Sequence, residues 1–176
     1  MISAEEVFRG IVYLADVLNA FTSFHVALSL IGIGSGVVAI YGLLKAKTPG
    51  RWTQAFLATT AATSLTGFLF PFHGVTPAQV LGVLSLFALI IASLSIYRHH
   101  LQGIWRRTYA IAAVIALYFN VFVLVVQLFR RVPALSTMAP TQSEPPFQIA
   151  QLAVLLLFAA IGIRAATVKP QRGLVP

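Results

Sequence analysis

The stretch WTQAFLATTAATSLTGFLFPFHGVTPAQVLGVLSLFALIIASLSIY, residues 52–97, contains no Asp, Glu, Lys or Arg. A helix needs roughly 20 mostly apolar residues to cross ~30 Å of hydrocarbon, so the stretch is long enough for two crossings. Pro71, Gly74 and Pro77 interrupt it near its middle, and such residues end one helix and admit the turn into the next. It therefore reads as a membrane hairpin with arms at residues 53–70 and 77–97. Thr53, Thr59, Thr60, Thr63, Ser64 and Thr66 dilute the first arm. A hydroxyl can bond back to a carbonyl of its own turn, and it is better placed against protein than against lipid. The first arm is accordingly expected at the centre of a bundle.

The composition extends this reading to the whole chain. Fifty-nine per cent of residues are apolar and only 9 % are charged, whereas charged residues run near 25 % in soluble domains. Three further apolar segments lie at residues 21–44, 108–129 and 147–168. The expected fold is an all-α membrane protein: a five-transmembrane-helix bundle forming a single integral membrane domain over residues 1–176.

The charges predict an orientation. Arg9, Arg130 and Arg131 would lie on one side of such a bundle with all four acids, Glu5, Glu6, Asp16 and Glu144. Lys45, Lys47, Arg51, Arg98, Arg106, Arg107, Arg164, Lys169 and Arg172 would lie on the other. Basic residues collect on the cytoplasmic side of membrane proteins, which places the N-terminus outside and the C-terminus inside. A chain that skipped the 53–70 segment would put the 45–51 and 98–107 basic clusters on opposite faces.

Residues 1–20 have Ser3 and Glu6 at capping-box spacing, with Val7, Ile11, Leu14 and Leu18 at helical intervals. They are expected to form an amphipathic helix lying at the outer interface and turning into the first span. The outer loop at residues 130–146 holds prolines at 133, 140, 145 and 146 and is read as irregular. Its Val132, Leu135 and Met138 suggest that it folds back over the mouth of the bundle.

Several function classes find no support. The absence of cysteine removes disulfides, thiolate catalysis and cysteine metal sites. No nucleophile motif, phosphate loop, HExxH sequence or paired carboxylates is present. A net charge of +8 could indicate nucleic acid, but the basic residues sit in short clusters between hydrophobic segments and have no aromatic-interleaved patch.

Three groups of residues could carry more than packing. His25 and His73 belong to the same leaflet on consecutive antiparallel segments, the arrangement a haem b or a small metal site needs. Asn120 sits mid-span, where an unpaired amide is costly, at the depth of Thr59, Thr60 and Thr63. It forms an interhelical bond or, alternatively, part of a midplane binding site for a small solute. Arg98, Trp105, Arg106 and Arg107 make an anchor for anionic headgroups. Gly32 and Gly36 on the first span, and Gly82, Ser85, Ala88 and Ala92 on the third, are small-residue faces that let helices approach closely.

The runs FHVALSLIGIGSGVV, LATTAATSLTGFLFPF, LYFNVFVLVVQLF and APTQSEPPF resemble those of small multi-pass bacterial inner-membrane proteins to which no activity is assigned. The resemblance implies a bacterial inner membrane and carries over no catalytic or binding residue. The expected function is that of a non-enzymatic, complex-forming subunit that meets the bilayer and a membrane-protein partner or a second copy of itself. A haem- or metal-binding redox protein using His25 and His73, and a small-solute carrier around Asn120, are the alternatives.

Overall fold

The computed structural model describes residues 4–70 and 76–168. It is all-helical, 84 % of it in helices, with no strand among the described residues. Six helices follow one another: α1 (Ala4–Leu44), α2 (Arg51–Gly67), α3 (Pro77–Ser93), α4 (Trp105–Arg131), α5 (Pro133–Met138) and α6 (Pro145–Thr167). Among the described residues, four segments are long and apolar enough to cross a membrane: Ala15–Leu44 within α1, Pro77–Arg98, Trp105–Arg131 and Pro145–Thr167. At 17 residues, α2 extends only ~25 Å at ~1.5 Å per residue.

Side-chain contacts fix the relative directions. His25 meets Thr66, the backbone at Gly32 abuts Thr59 and Thr60, and that at Gly36 abuts Phe56, so α1 and α2 run antiparallel. Gly82 lies against Phe68 and Ser64, placing the start of α3 beside the end of α2. Gly162 touches Val114 and Phe147 meets Phe129 edge-on, so α6 runs antiparallel to α4. Tyr109 reaches Thr53 and Arg106 reaches Val168. The bundle thus has an Arg106 end, which gathers the finish of α1, the start of α2, the start of α4 and the finish of α6, and a Glu144 end opposite.

The helix at the core centre is α4 rather than α2. Tyr109, Ala110, Ala113, Ala116 and Leu117 are almost wholly buried, and α1, α3 and α6 all pack on α4. Its alanines leave room for neighbouring backbones, which substitutes for the missing hydrophobic drive between helices in lipid. The α2 hydroxyls do face protein, with Thr53, Thr60, Thr63 and Ser64 buried. The predicted small-residue faces pack as expected. A Cβ at Gly36 would lie 2.7 Å from Leu117 Cδ1 and 2.8 Å from Phe56 Cδ2, and Ser85, Ala88 and Ala92 are buried on α3.

Two further expectations need correction. The N-terminal segment is not a separate helix that turns at residue 20; it continues unbroken into the first span as one 41-residue helix. No proline lies at the junction, and the Thr22 and Ser23 hydroxyls bond to Leu18 O and Asn19 O, so these polar residues are absorbed into the helix. Ser3 lies outside the described residues. The 130–146 loop, in turn, is partly helical. Pro133 occupies the first turn of α5 and Pro145 and Pro146 the first turn of α6, where a missing N–H costs nothing. Val132 and Met138 are exposed, and the loop is tied down instead by buried Ala139 and by Gln142 Nε2 donating to Val126 O at 3.0 Å.

Beyond α3 the chain widens into a π-helical turn at Leu94–Arg98. His99 N–H bonds to Leu94 O at 3.1 Å and Leu101 N–H to Ser95 O at 2.9 Å. His100, Leu101 and Gly103 then take left-handed backbone, with φ of 49°, 57° and 54°. Leu101 tolerates this because its side chain packs on the core, the hydrophobic contact that accompanies left-handed helix ends.

Candidate functional site

His25 stands on α1 near the Glu144 end. Its Nδ1 lies 2.8 Å from Thr66 Oγ1, and its ring meets that of Phe70 edge-on, with 5.1 Å between centroids. The Thr66 hydroxyl donates to Ala62 O at 2.7 Å, so its oxygen accepts from Nδ1–H. That assigns the lone pair of the imidazole to Nε2, the nitrogen through which a histidine would ligate a metal. His73 lies outside the described residues. No group of three or more His, Cys, Asp or Glu side chains able to hold a metal occurs among the described residues.

Asn120 is buried on α4 and donates from Nδ2 to Thr60 Oγ1 at 3.0 Å. Thr59 is turned back on its own helix, its hydroxyl bonded to Ala55 O at 2.7 Å. Thr63 is buried with an unpaired hydroxyl oxygen. Gly32 closes over this group: a Cβ there would stand 3.2 Å from Thr60 Oγ1 and 3.3 Å from Thr59 Oγ1. Asn120 and Thr60 thus form a buried polar pair at which α1, α2 and α4 meet, with Thr59 beside it and turned back on its own helix.

The anchor set divides in two. Arg98 and Arg107 are exposed. Trp105 stacks flat on His99, ring centroids 3.5 Å apart, which clamps the turn between α3 and α4. Arg106 is half-buried; its Nε donates to Val168 O at 3.3 Å, and its Nη2 is enclosed with no hydrogen-bond partner.

Sequence reasoning missed the recess that stands out most. An apolar groove of about 520 Å³ runs between α4 and α6, lined by Val114, Ile115, Tyr118, Phe158, Ala159 and Gly162 among others. Its residues are the same types that face lipid, so only the packing of α6 on α4 reveals it. A smaller recess of about 340 Å³ lies under the loop, among Phe129, Arg130, Ser136 and Gln142. Neither is lined by His25 or Asn120.

Beside the smaller recess, Glu144 organises the loop. Its carboxylate accepts from the Thr141 N–H at 3.1 Å, the Thr141 hydroxyl at 2.8 Å and the Ser143 N–H at 3.0 Å. Desolvation acts to raise its pKa, but these hydrogen bonds outweigh it and hold the group below the ordinary carboxylate value.

Searches of protein-family models, characterised proteins and solved structures give no match to this chain.

Proposed function

We propose that the chain is a non-enzymatic, complex-forming subunit of a bacterial inner membrane, crossing it five times with its N-terminus outside, and that the α4–α6 groove receives a transmembrane helix of its partner. The groove carries the reading. It is apolar, it is lined along the membrane-spanning lengths of α4 and α6, and the small residues Ala159, Gly162 and Ala166 in its lining permit close backbone approach. Beside it α6 leaves Leu152, Leu156 and Ile163 exposed. The interior polar groups, by contrast, are largely engaged with each other: Asn120 with Thr60, His25 with Thr66, Tyr109 with Thr53.

The shared Arg106 end supports the fifth crossing. Because α1, α2, α4 and α6 each connect that end with the opposite one, the arrangement favours a crossing by α2 like those of its neighbours. The turn at residues 68–70 lengthens it towards the ~30 Å of hydrocarbon. The basic residues at the Arg106 end support a cytoplasmic placement for it.

Gentle solubilisation from native membranes tests the proposal. The protein should elute in a particle heavier than one 19.0 kDa chain with its detergent. A clean monomer from native membranes would end the subunit reading.

One observation favours a second reading. The Thr66 bond leaves His25 Nε2 as the lone-pair nitrogen, which suits the haem or metal ligation expected of His25 and His73. A reduced-minus-oxidised visible spectrum and metal analysis of native protein decide it. A Soret band or stoichiometric metal lost in His25→Ala supports ligation; a flat, metal-free result removes it.

A further inference from the structure

We propose that the recess under the loop between α4 and α6 binds a small oxyanion, a carboxylate or a phosphate, on Arg130 and Gln142. Its volume of about 340 Å³ is at the small end of the ~300–1,000 Å³ range of ligand sites, which suits a small solute. Arg130, Ser136, Thr141 and Gln142 give it a polar lining around Phe129 and Pro140. It shares no residue with the α4–α6 groove, so both can be filled at once.

Hydrogen-bond accounting shows which groups are left for a ligand. The Ser136 hydroxyl donates to Pro133 O at 3.0 Å, and the Thr141 N–H and hydroxyl both donate to Glu144. Gln142 Nε2 carries two N–H groups and gives one to Val126 O at 3.0 Å; the second remains. Arg130 adds five N–H donors on a planar fork that matches the oxygens of carboxylate and phosphate. Among the described residues the one ion pair joins Arg9 to Glu5, so Arg130 has no carboxylate partner. Glu144 turns its oxygens to Thr141 and Ser143 instead. A charged fork on the wall of a recess, with no acid beside it, suits an oxyanion.

The loop holds this wall in place. Pro140 presets the turn in which Gln142 N–H bonds to Ala139 O at 3.2 Å, and buried Ala139 seats that turn on the bundle. Gln142 takes left-handed backbone, with φ of 60°, which residues other than glycine adopt seldom and at a cost. Strain of this kind gathers at ligand-holding positions, and here it falls on a residue of the recess lining. The helix dipole offers a simpler role for Arg130, because Arg130 and Arg131 both stand in the last turn of α4. The dipole treats the two alike, however. Arg131 donates from Nε to Gln127 Oε1 at 3.4 Å and does not line the recess, whereas Arg130 does.

That difference makes Arg131 the control. Full-length protein in phosphatidylcholine nanodiscs is dialysed to equilibrium against radiolabelled succinate and, separately, radiolabelled inorganic phosphate at fixed ionic strength. The parent should bind at least one of the two saturably, and excess succinamide, which keeps the shape of succinate without its charge, should not displace it. Arg130→Gln should weaken the affinity about tenfold, the scale of a lost hydrogen bond to a charged group. Arg131→Gln should weaken it less than about twofold, the scale of a surface charge. Arg130→Lys keeps the charge and loses the fork, and should fall nearer to Arg130→Gln than to the parent. Ser136→Leu puts bulk into the recess, leaves both donors in place, and should weaken binding while thermal unfolding shows the bundle intact. Succinate alone marks a carboxylate site, phosphate alone a phosphate site, and both a general oxyanion site. No saturable binding of either ion, equal losses in Arg130→Gln and Arg131→Gln, or full binding by Ser136→Leu would overturn the proposal.

Discussion

Asn120 joins α4 to α2 through one hydrogen bond, its Nδ2 donating to Thr60 Oγ1 at 3.0 Å. Thr60 is fully enclosed, and Gly32 of α1 seats directly on the pair. Three helices meet at this point, and Asn120 is buried among them. Interhelical bonds of this kind in lipid average ~0.6 kcal/mol and reach ~1.7 kcal/mol. A double-mutant cycle on Asn120→Leu and Thr60→Val, followed by thermal unfolding in detergent, should give a coupling of about 1 kcal/mol. Strict additivity would show that the bond does not hold α4 to α2.

Gly36 and Gly34 form a matched pair. A Cβ at Gly36 would strike Leu117 Cδ1 at 2.7 Å and Phe56 Cδ2 at 2.8 Å, whereas one at Gly34 meets nothing within 4 Å. Phe56 is fully buried and has no space to retreat into. Gly36→Ala should therefore cost about 1–3 kcal/mol as overpacking does. Gly34→Ala should leave stability unchanged or raise it by up to about 1 kcal/mol. Equal behaviour of the two variants would contradict the α1–α2–α4 packing.

The loop between α4 and α6 should loosen in acid. Hydrogen bonds from Thr141 and Ser143 hold the Glu144 carboxyl below its ordinary value of 4.5. A lowered pKa in the folded state means that the carboxylate stabilises the loop at higher pH, and that this contribution is lost as pH falls through the lowered value. A nitroxide at Thr137 should thus become more mobile as the pH is taken down through and below the ordinary carboxylate range. Glu144→Gln should be mobile throughout that range, and a loop that tightens in acid would refute the assignment.

Much of this architecture was legible in the residues. Gly32 and Gly36 are spaced one turn apart in an otherwise apolar run, and an amide at position 120 must find a partner in lipid. Other features follow from rules that sequence spacing hides. Thr22 and Ser23 look like a break but bond within the helix. Pro133 looks like a helix breaker, yet it begins α5. Arg106 and Arg107 read alike in the chain, and a rotation of ~100° per residue sends one against the end of α6 and leaves the other exposed. The α4–α6 groove had no signal at all, because Val114 and Phe158 are equally at home against lipid.

Photocrosslinking along that groove tests the central claim most directly. A diazirine amino acid at Ile115 or Leu155, both lining it, should trap one protein adduct of defined mass in native membranes. The same probe at Leu30 or Phe87, which are exposed elsewhere on the bundle, should give only lipid adducts. Gly162→Leu, which fills the groove floor, should abolish the protein adduct while the bundle stays folded. Lipid adducts alone from Ile115 and Leu155, or an adduct indifferent to Gly162→Leu, would contradict a partner helix in the groove.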